Sequence, residues 1–192
     1  MQMASVSDDF GPRLAAVVFE PGEDAGSGVD AILRQTVTAL RLQGARVGGI
    51  VQVIGKRWSA CRRVMMVEDI LTGETLKISQ DLGVHAQGCI LDQAALTDAA
   101  AMFRLAMDRG VDILIGNRFG EQEAEGRGLR AEFADAALAG FVVLTAVATK
   151  HIDAWTAFGG GFAVTLEPSP QIVLDWAVRA LAARTPAQVD AA

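Results

Sequence analysis

The chain has 192 residues, 51% apolar and 21% charged. That length and balance suit one globular domain that buries roughly 70% of its unfolded surface and needs no disulfide or metal staple. Its 17 basic and 23 acidic side chains give a net charge of −6, without the cationic footprint of a general nucleic-acid binder. Cys61 and Cys89 make no disulfide framework. No signal-peptide pattern opens the sequence, and no uncharged apolar run nears the ~18 residues of a membrane helix, so a cytoplasmic protein is expected.

Residues 1–13 are polar and acidic and read as an extended or disordered N-terminus. One α/β domain is expected over residues 14–183, and 184–192 reads as a disordered tail. Leu14 to Phe19 (LAAVVF) is a continuous apolar run that fits a strand buried on both faces. A glycine-rich loop, Glu20 to Asp30, follows with Gly22, Gly26, Ser27 and Gly28. From Val29 to Gln43 the positions Val29, Ile32, Leu33, Thr36, Val37 and Leu40 have helical spacing on one face, and Gly44 is a natural stop. Val47 to Ile54 is a second apolar run, so the opening reads as a right-handed βαβ unit with parallel strands.

Between about residues 56 and 78 the period changes. Val64, Met66, Glu68 and Ile70 alternate, and Thr72-Gly73-Glu74 makes a turn, which predicts an antiparallel hairpin inserted after the second strand. Its cations Lys56, Arg57, Arg62 and Arg63 suit a solvated edge or an anion contact. Ser79 to Gly88 is a polar loop. His85 and Cys89 lie four apart but lack two further ligands at metal-site spacing, so a structural role is expected for both. Asp92 caps a helix ending before Gly110, and Val111 to Gly116 is a buried strand. A charged loop then leads to a helix from Ala131 to Ala139. A strand from Phe141 to Val147, a short helix from Ile152, a strand from Phe162 to Leu166 and a last helix from Pro170 to Ala183 complete the chain. Trp58, Trp155 and Trp176 read as core or partner contacts. The alternation predicts a three-layer α/β architecture: a mostly parallel sheet with helices on both faces and an inserted antiparallel hairpin.

In such a sheet, ligands bind beyond the carboxyl ends of the strands. The loops Glu20 to Asp30 and Asn117 to Gly128 are therefore expected to share one cleft, with the residues after Val147 beside them. The first loop sits where a phosphate loop would, with unpaired N–H groups, a helix dipole and glycines that admit close approach. The signature Gly-x-x-x-x-Gly-Lys-Ser/Thr is absent, however. Counting from Gly28, Val29 takes the lysine position, Asp30 the hydroxyl position and Glu23 the first glycine, and Glu23 and Asp24 would repel phosphate. A plain βα turn is the competing reading. The second loop, NRFGEQEAEGRGLR, mixes carboxylates, arginines and glycines, which suits a polar or anionic ligand, or a metal bridged to one. Its competing reading is a charged surface loop.

The plan from residue 14 to 147 resembles the small nucleoside-triphosphatases first described from thermophiles, which are P-loop proteins. The matching pieces are Gly44-Ala45-Arg46-Val47-Gly48-Gly49, Thr72-Gly73-Glu74 and Gly88-Cys89-Ile90-Leu91-Asp92. The segment Asn117-Arg118-Phe119-Gly120-Glu121-Gln122-Glu123-Ala124-Glu125-Gly126-Arg127-Gly128 is similar to the hallmark of a bacterial family of uncharacterised proteins, members of which are often found near molybdate-transport genes. In the nucleoside-triphosphatases a metal-holding Asp and a catalytic Glu would follow the strand ending at Ile115-Gly116. Here Asn117 and Arg118 stand there, while Glu123 matches a later family glutamate.

The resemblance therefore implies a degenerate P-loop-like protein that binds a nucleotide or another phosphate-like anion, with weak or no hydrolysis. Mg²⁺ would come with the nucleotide. Whether the protein is an enzyme stays open; if it is, a phosphohydrolase is implied. The expected ligand-binding residues are Glu20, Gly22, Gly26, Ser27, Gly28, Asp30, Asn117, Arg118, Gly120, Glu123 and Arg127, with no catalytic residue and no resident metal assigned. Arg118 and Arg127, with Lys56 or Lys150, would replace the missing lysine's charge. A non-enzymatic binder of molybdate or a related oxyanion in molybdenum handling, and a scaffold or interaction protein, are the alternatives. The expected partner is a small anionic ligand, with no nucleic acid and no membrane, and a homo-oligomer is left open.

Overall fold

A computed structural model of the protein describes residues 12–22, 25–59, 62–80 and 91–183. In chain order its elements are β1 (Leu14–Phe19), α1 (Ala25–Leu42), β2 (Val47–Ser59), β3 (Arg62–Asp69), β4 (Thr75–Lys77), α2 (Gln93–Asp108), β5 (Ile113–Ile115), α3 (Glu121–Ala124), α4 (Arg130–Leu138), β6 (Val142–Ala148), α5 (Ile152–Gly159), β7 (Ala163–Leu166) and α6 (Pro170–Ala182). The strands form one sheet in the order β4-β3-β2-β5-β6-β1-β7. β2, β5, β6, β1 and β7 run parallel, and β3 and β4 join the β2 edge antiparallel. The architecture is the three-layer, mostly parallel α/β arrangement expected.

β1 explains why its sequence has no polar position. Leu14 and Ala16 enter the core on one face of the sheet, Ala15 and Val17 the core on the other. Strands covered on both faces read as unbroken apolar runs rather than alternating ones. The first face packs against α2, α4 and α5 through Phe103, Phe133 and Trp155; the second packs against α1 and α6 through Leu33, Leu40 and Trp176. Both of these tryptophans are core residues, as expected. Asp92 accepts hydrogen bonds from the N–H groups of Ala94 and Ala95 and caps α2, and Gly110 beyond its end has φ +62°. Among the described residues no helix is long and apolar enough to cross a membrane.

Three boundaries differ from those expected. α1 begins at Ala25, not Val29, so Gly26, Ser27 and Gly28 form its first turn rather than a loop. First-turn N–H groups need no intrahelical acceptor, which tolerates glycine there, and the apolar spacing begins only where the helix meets the sheet. β2 is one continuous strand of 13 residues, not a core strand followed by a separate hairpin. Its first residues, Val47 to Gly49, pair with β5, and Ile50 to Ser59 pair with β3 across register shifts after Ile54. The change of period marks the place where the strand leaves the doubly covered centre. Within the segment 117–130, Glu121–Ala124 is a one-turn helix. Cys61, His85 and Cys89, and the side chains of Lys56, Arg57, Trp58, Arg62 and Arg63, lie outside the described residues.

Gly49 sits at the switch of β2 from one neighbour to the other. Its φ is +100°, and a Cβ there would collide with the Ile115 carbonyl oxygen of β5. Gly49→Ala is expected to lower stability by about 1–3 kcal/mol from overpacking, with backbone strain of about the same size added. Urea denaturation of both proteins measures this; an unchanged midpoint would mean that the β2–β5 crossing has room to spare.

Candidate functional site

A cavity of about 700 Å³ opens at the carboxyl ends of the central strands. One end is polar. Gly26, Ser27 and Asp30 enter it from α1, Asn117 and Arg118 from the end of β5, and Lys150 and His151 from the segment after β6. The other end is apolar and is walled by β2, β3 and α2 through Ile50, Met65, Val67, Leu96 and Ala99. The two loops singled out in the sequence thus meet in one cleft.

They are tied together by an ion pair. Arg118 Nη2 donates to both carboxylate oxygens of Asp30 at 2.8 Å and to the Gly26 carbonyl at 3.0 Å. Asp30 is only 3% exposed. Burial pushes its carboxyl above the ordinary value, and the Arg118 hydrogen bond and charge, with the charge of Arg34, pull it partly back. The Arg118 guanidinium carbon also lies 5.2 Å from the centre of the Phe19 ring. Arg118 is therefore not a spare cation in place of the missing lysine: a buried carboxylate requires a partner, and Arg118 is that partner. Val29, counted as the lysine position, is packed in the core beneath α1 and faces away from the cleft.

Glu123 organises the second segment. Its side chain is buried; Oε2 accepts from the Gly120 N–H and Oε1 from the Leu129 N–H, both at 2.9 Å, so one carboxylate joins the starts of α3 and α4. Gly128 is obligatory beside it: φ is +59°, and a Cβ would collide with Glu123 Oε1. Arg130 donates to the Glu123 carbonyl at 3.0 Å and lies 4.7 Å over the Phe158 ring. Phe119 is fully buried, and its N–H bonds the Ala146 carbonyl at 2.8 Å. Much of the long glycine, glutamate and arginine motif is thus a loop scaffold that turns Asn117 and Arg118 into the cleft. Burial raises the Glu123 carboxyl above its usual range, against the backbone hydrogen bonds that lower it.

Of the expected site residues, Gly22, Gly26, Ser27, Asp30, Asn117, Arg118, Gly120 and Glu123 line the cavity. Three do not. Arg127 is held by Glu125 and by Gln122 Oε1 at 3.1 Å, because its nearest acceptors lie within its own loop. Glu20 is exposed and accepts a hydrogen bond from the Thr149 hydroxyl at 2.9 Å. Gly28 points outward from the first turn of α1. The sequence reading missed Gln52, a cavity residue whose signal was available: it is the one polar side chain in Val47 to Ile54.

Three buried polar atoms at the cavity have no hydrogen-bond partner among the described residues: Gln52 Oε1, Asn117 Oδ1 and Arg118 Nε. The charged lining is mixed, with Asp30, Glu121 and Glu123 against Arg118 and Lys150. The site does not fit a resident Mg²⁺. Asn117 offers a neutral oxygen, the Asp30 and Glu123 carboxylates are engaged internally, and the described residues hold no group of three or more His, Cys, Asp or Glu that could bind a metal.

Residues 14–176 match the model of the family described as protein of unknown function (DUF2478). Over 164 residues the chain is 41% identical to a protein of Bradyrhizobium diazoefficiens named molybdenum import ATP-binding protein ModC 2. That match takes in 85% of this chain but only 18% of the relative, so the chain spans less than a fifth of the curated protein it resembles. The crystal structure of THEP1 from the hyperthermophile Aquifex aeolicus shares the fold, with a TM-score of 0.57 at 12% identity over 84% of this chain and 94% of that one.

Two measurements probe the scaffold. Arg118→Ala strands the buried Asp30 carboxylate and is expected to cost about 3–4 kcal/mol, the lower part of the range for breaking a buried pair, because Arg118 keeps 24% side-chain exposure. Adding Asp30→Asn to the same chain should return most of that loss in chemical denaturation; an equally unstable double variant would mean that the pair is not what Arg118 stabilises. For Glu123 the folded-state pKa is raised above 4.5. Its contribution is therefore complete below about pH 4.5 and declines as pH rises through the raised value. The stability advantage of wild type over Glu123→Gln should shrink over that window, and denaturation across pH reads the difference; an advantage that grows with pH would reverse the assignment.

Proposed function

This chain belongs to the DUF2478 family, and from that premise we propose that its cleft binds a nucleotide or similar phosphate-bearing ligand, with weak or no hydrolysis. The observation that carries the reading is the two-ended cavity. Its volume suits a small organic ligand. Its polar end combines the first-turn N–H groups of α1 with the exposed Lys150, an arrangement that favours phosphate oxygens. Its apolar end offers a surface for a ring, which a bare anion would leave unfilled.

Weak hydrolysis follows from what the cleft lacks. Val29 lies in the core, Asn117 is neutral where a metal-holding acid would stand, and both oxygens of Glu123 accept backbone hydrogen bonds instead of activating water. Mg²⁺ enters this reading as a companion of the nucleotide's phosphates, not as an ion held by the protein. A second reading, molybdate or another oxyanion handled in molybdenum import, is favoured by the name of the Bradyrhizobium relative.

Thermal shift with ATP, GTP, molybdate, tungstate and phosphate separates the two. A ligand at 100 times its Kd adds about 2.7 kcal/mol of stability. ATP or GTP should raise the melting temperature in the presence or absence of Mg²⁺, with turnover far below the ~10 s⁻¹ of a typical enzyme. A shift by molybdate alone would establish the second reading, and no shift with any of the five would remove both.

A further inference from the structure

Gln52 has no evident structural use for its amide. On β2 it points to the same face as the buried Ile50, toward α2, and its register partner on β3 is the fully buried Val67. Its neighbours around the apolar end of the cavity include Met65, Ile78, Leu96 and Ala99. The backbone there is pinned: Arg34 donates to the Gln52 carbonyl at 3.0 Å and to Glu68 Oε2 at 3.0 Å. The side-chain oxygen is nevertheless buried with no partner among the described residues. Leucine would fill such a place without the desolvation cost of an unpaired amide. A held backbone that presents an unpaired acceptor into an apolar slot is the form of a recognition group.

The geometry points to an adenine ring in this slot, its exocyclic amino group donating to Gln52 Oε1 and its N7 accepting from the Gln52 amide nitrogen. The inference rests on the nucleotide reading and makes it specific. A carboxamide matches adenine because it offers acceptor and donor side by side, as adenine does in the opposite sense. On the same edge guanine presents two acceptors, O6 and N7, so the amide in either orientation can make only one of the two bonds. Inorganic oxyanions such as phosphate or molybdate have only acceptors at full ionisation and no ring to occupy the slot. The phosphates then extend toward the first turn of α1 and Lys150, at the polar end of the same cavity.

Calorimetric titration of wild type and Gln52→Leu with ATP, GTP, inorganic triphosphate and the triphosphate of unsubstituted purine riboside, which lacks the amino group, tests the assignment. Wild type should bind ATP about 3- to 10-fold more tightly than the purine analogue, the size of one neutral hydrogen bond, and more tightly than GTP. Gln52→Leu should erase the preference for ATP over the analogue and leave triphosphate affinity unchanged. The wild-type comparison needs no variant to fold. Equal wild-type affinity for ATP and the analogue would overturn the adenine assignment while the nucleotide reading stood. Failure of wild type to bind any nucleotide would overturn both.

Discussion

The Asp30–Arg118 pair spans β6 in the sheet order to join the first helix, which follows β1, to the segment after β5. Neither residue can be understood alone. Asp30 sits in the second turn of α1 at 3% exposure, where an unpaired carboxylate would be costly. Arg118 is brought there because β5 ends three residues earlier and Phe119, anchored by its N–H to Ala146, fixes where the chain turns. A Cβ at residue 26 would lie 2.8 Å from Arg118 Nη2, so the glycine at the start of α1 leaves the room that the guanidinium occupies. The pair thereby sets both the width of the polar end of the cleft and its charge.

That charge bears on which ligand the cleft suits. With Arg118 neutralised by Asp30, the Lys150 ammonium and the α1 dipole remain to attract an anion, while Glu121 stands exposed on the same lining. A bare oxyanion depends almost wholly on fixed positive charge and bidentate donors for its affinity. A nucleotide also gains from burying its ring in the apolar end, a term that does not fall with the loss of a lysine. The modest cationic character of the site therefore costs a nucleotide less than it costs molybdate or phosphate, and it is the physical reason to rank the readings in that order.

The central sheet was legible because its inner strands are almost wholly apolar: LAAVVF, and FVVLTAV with Thr145 its one polar side chain, fit strands covered on both faces, and glycines punctuate them. Helix starts were harder to place. Periodicity is read from apolar side chains, and Gly26 to Gly28 carry none, so they read as a loop. At the cleft the sequence picked out segments that line the cavity, but not the internal pairing of their charges. Residue type cannot distinguish an arginine facing a ligand from one facing a buried aspartate 88 positions earlier. Arg127 lies off the cavity lining for a related reason: Glu125 and Gln122 are near it in sequence, and a local pair needs no cleft.

Glu123 carries the same lesson into mechanism. Matched by resemblance to a later family glutamate and expected among the ligand-binding residues, it closes two helix starts, with both oxygens on backbone N–H groups. A general base needs a free lone pair within reach of the water it activates. Freeing one would break a helix start, and Gly128, shaped to the carboxylate, would keep a void where it had been. The hallmark loop is therefore better suited to holding the cleft edge rigid than to performing chemistry, since a side chain that is part of the frame cannot also move protons without loosening it.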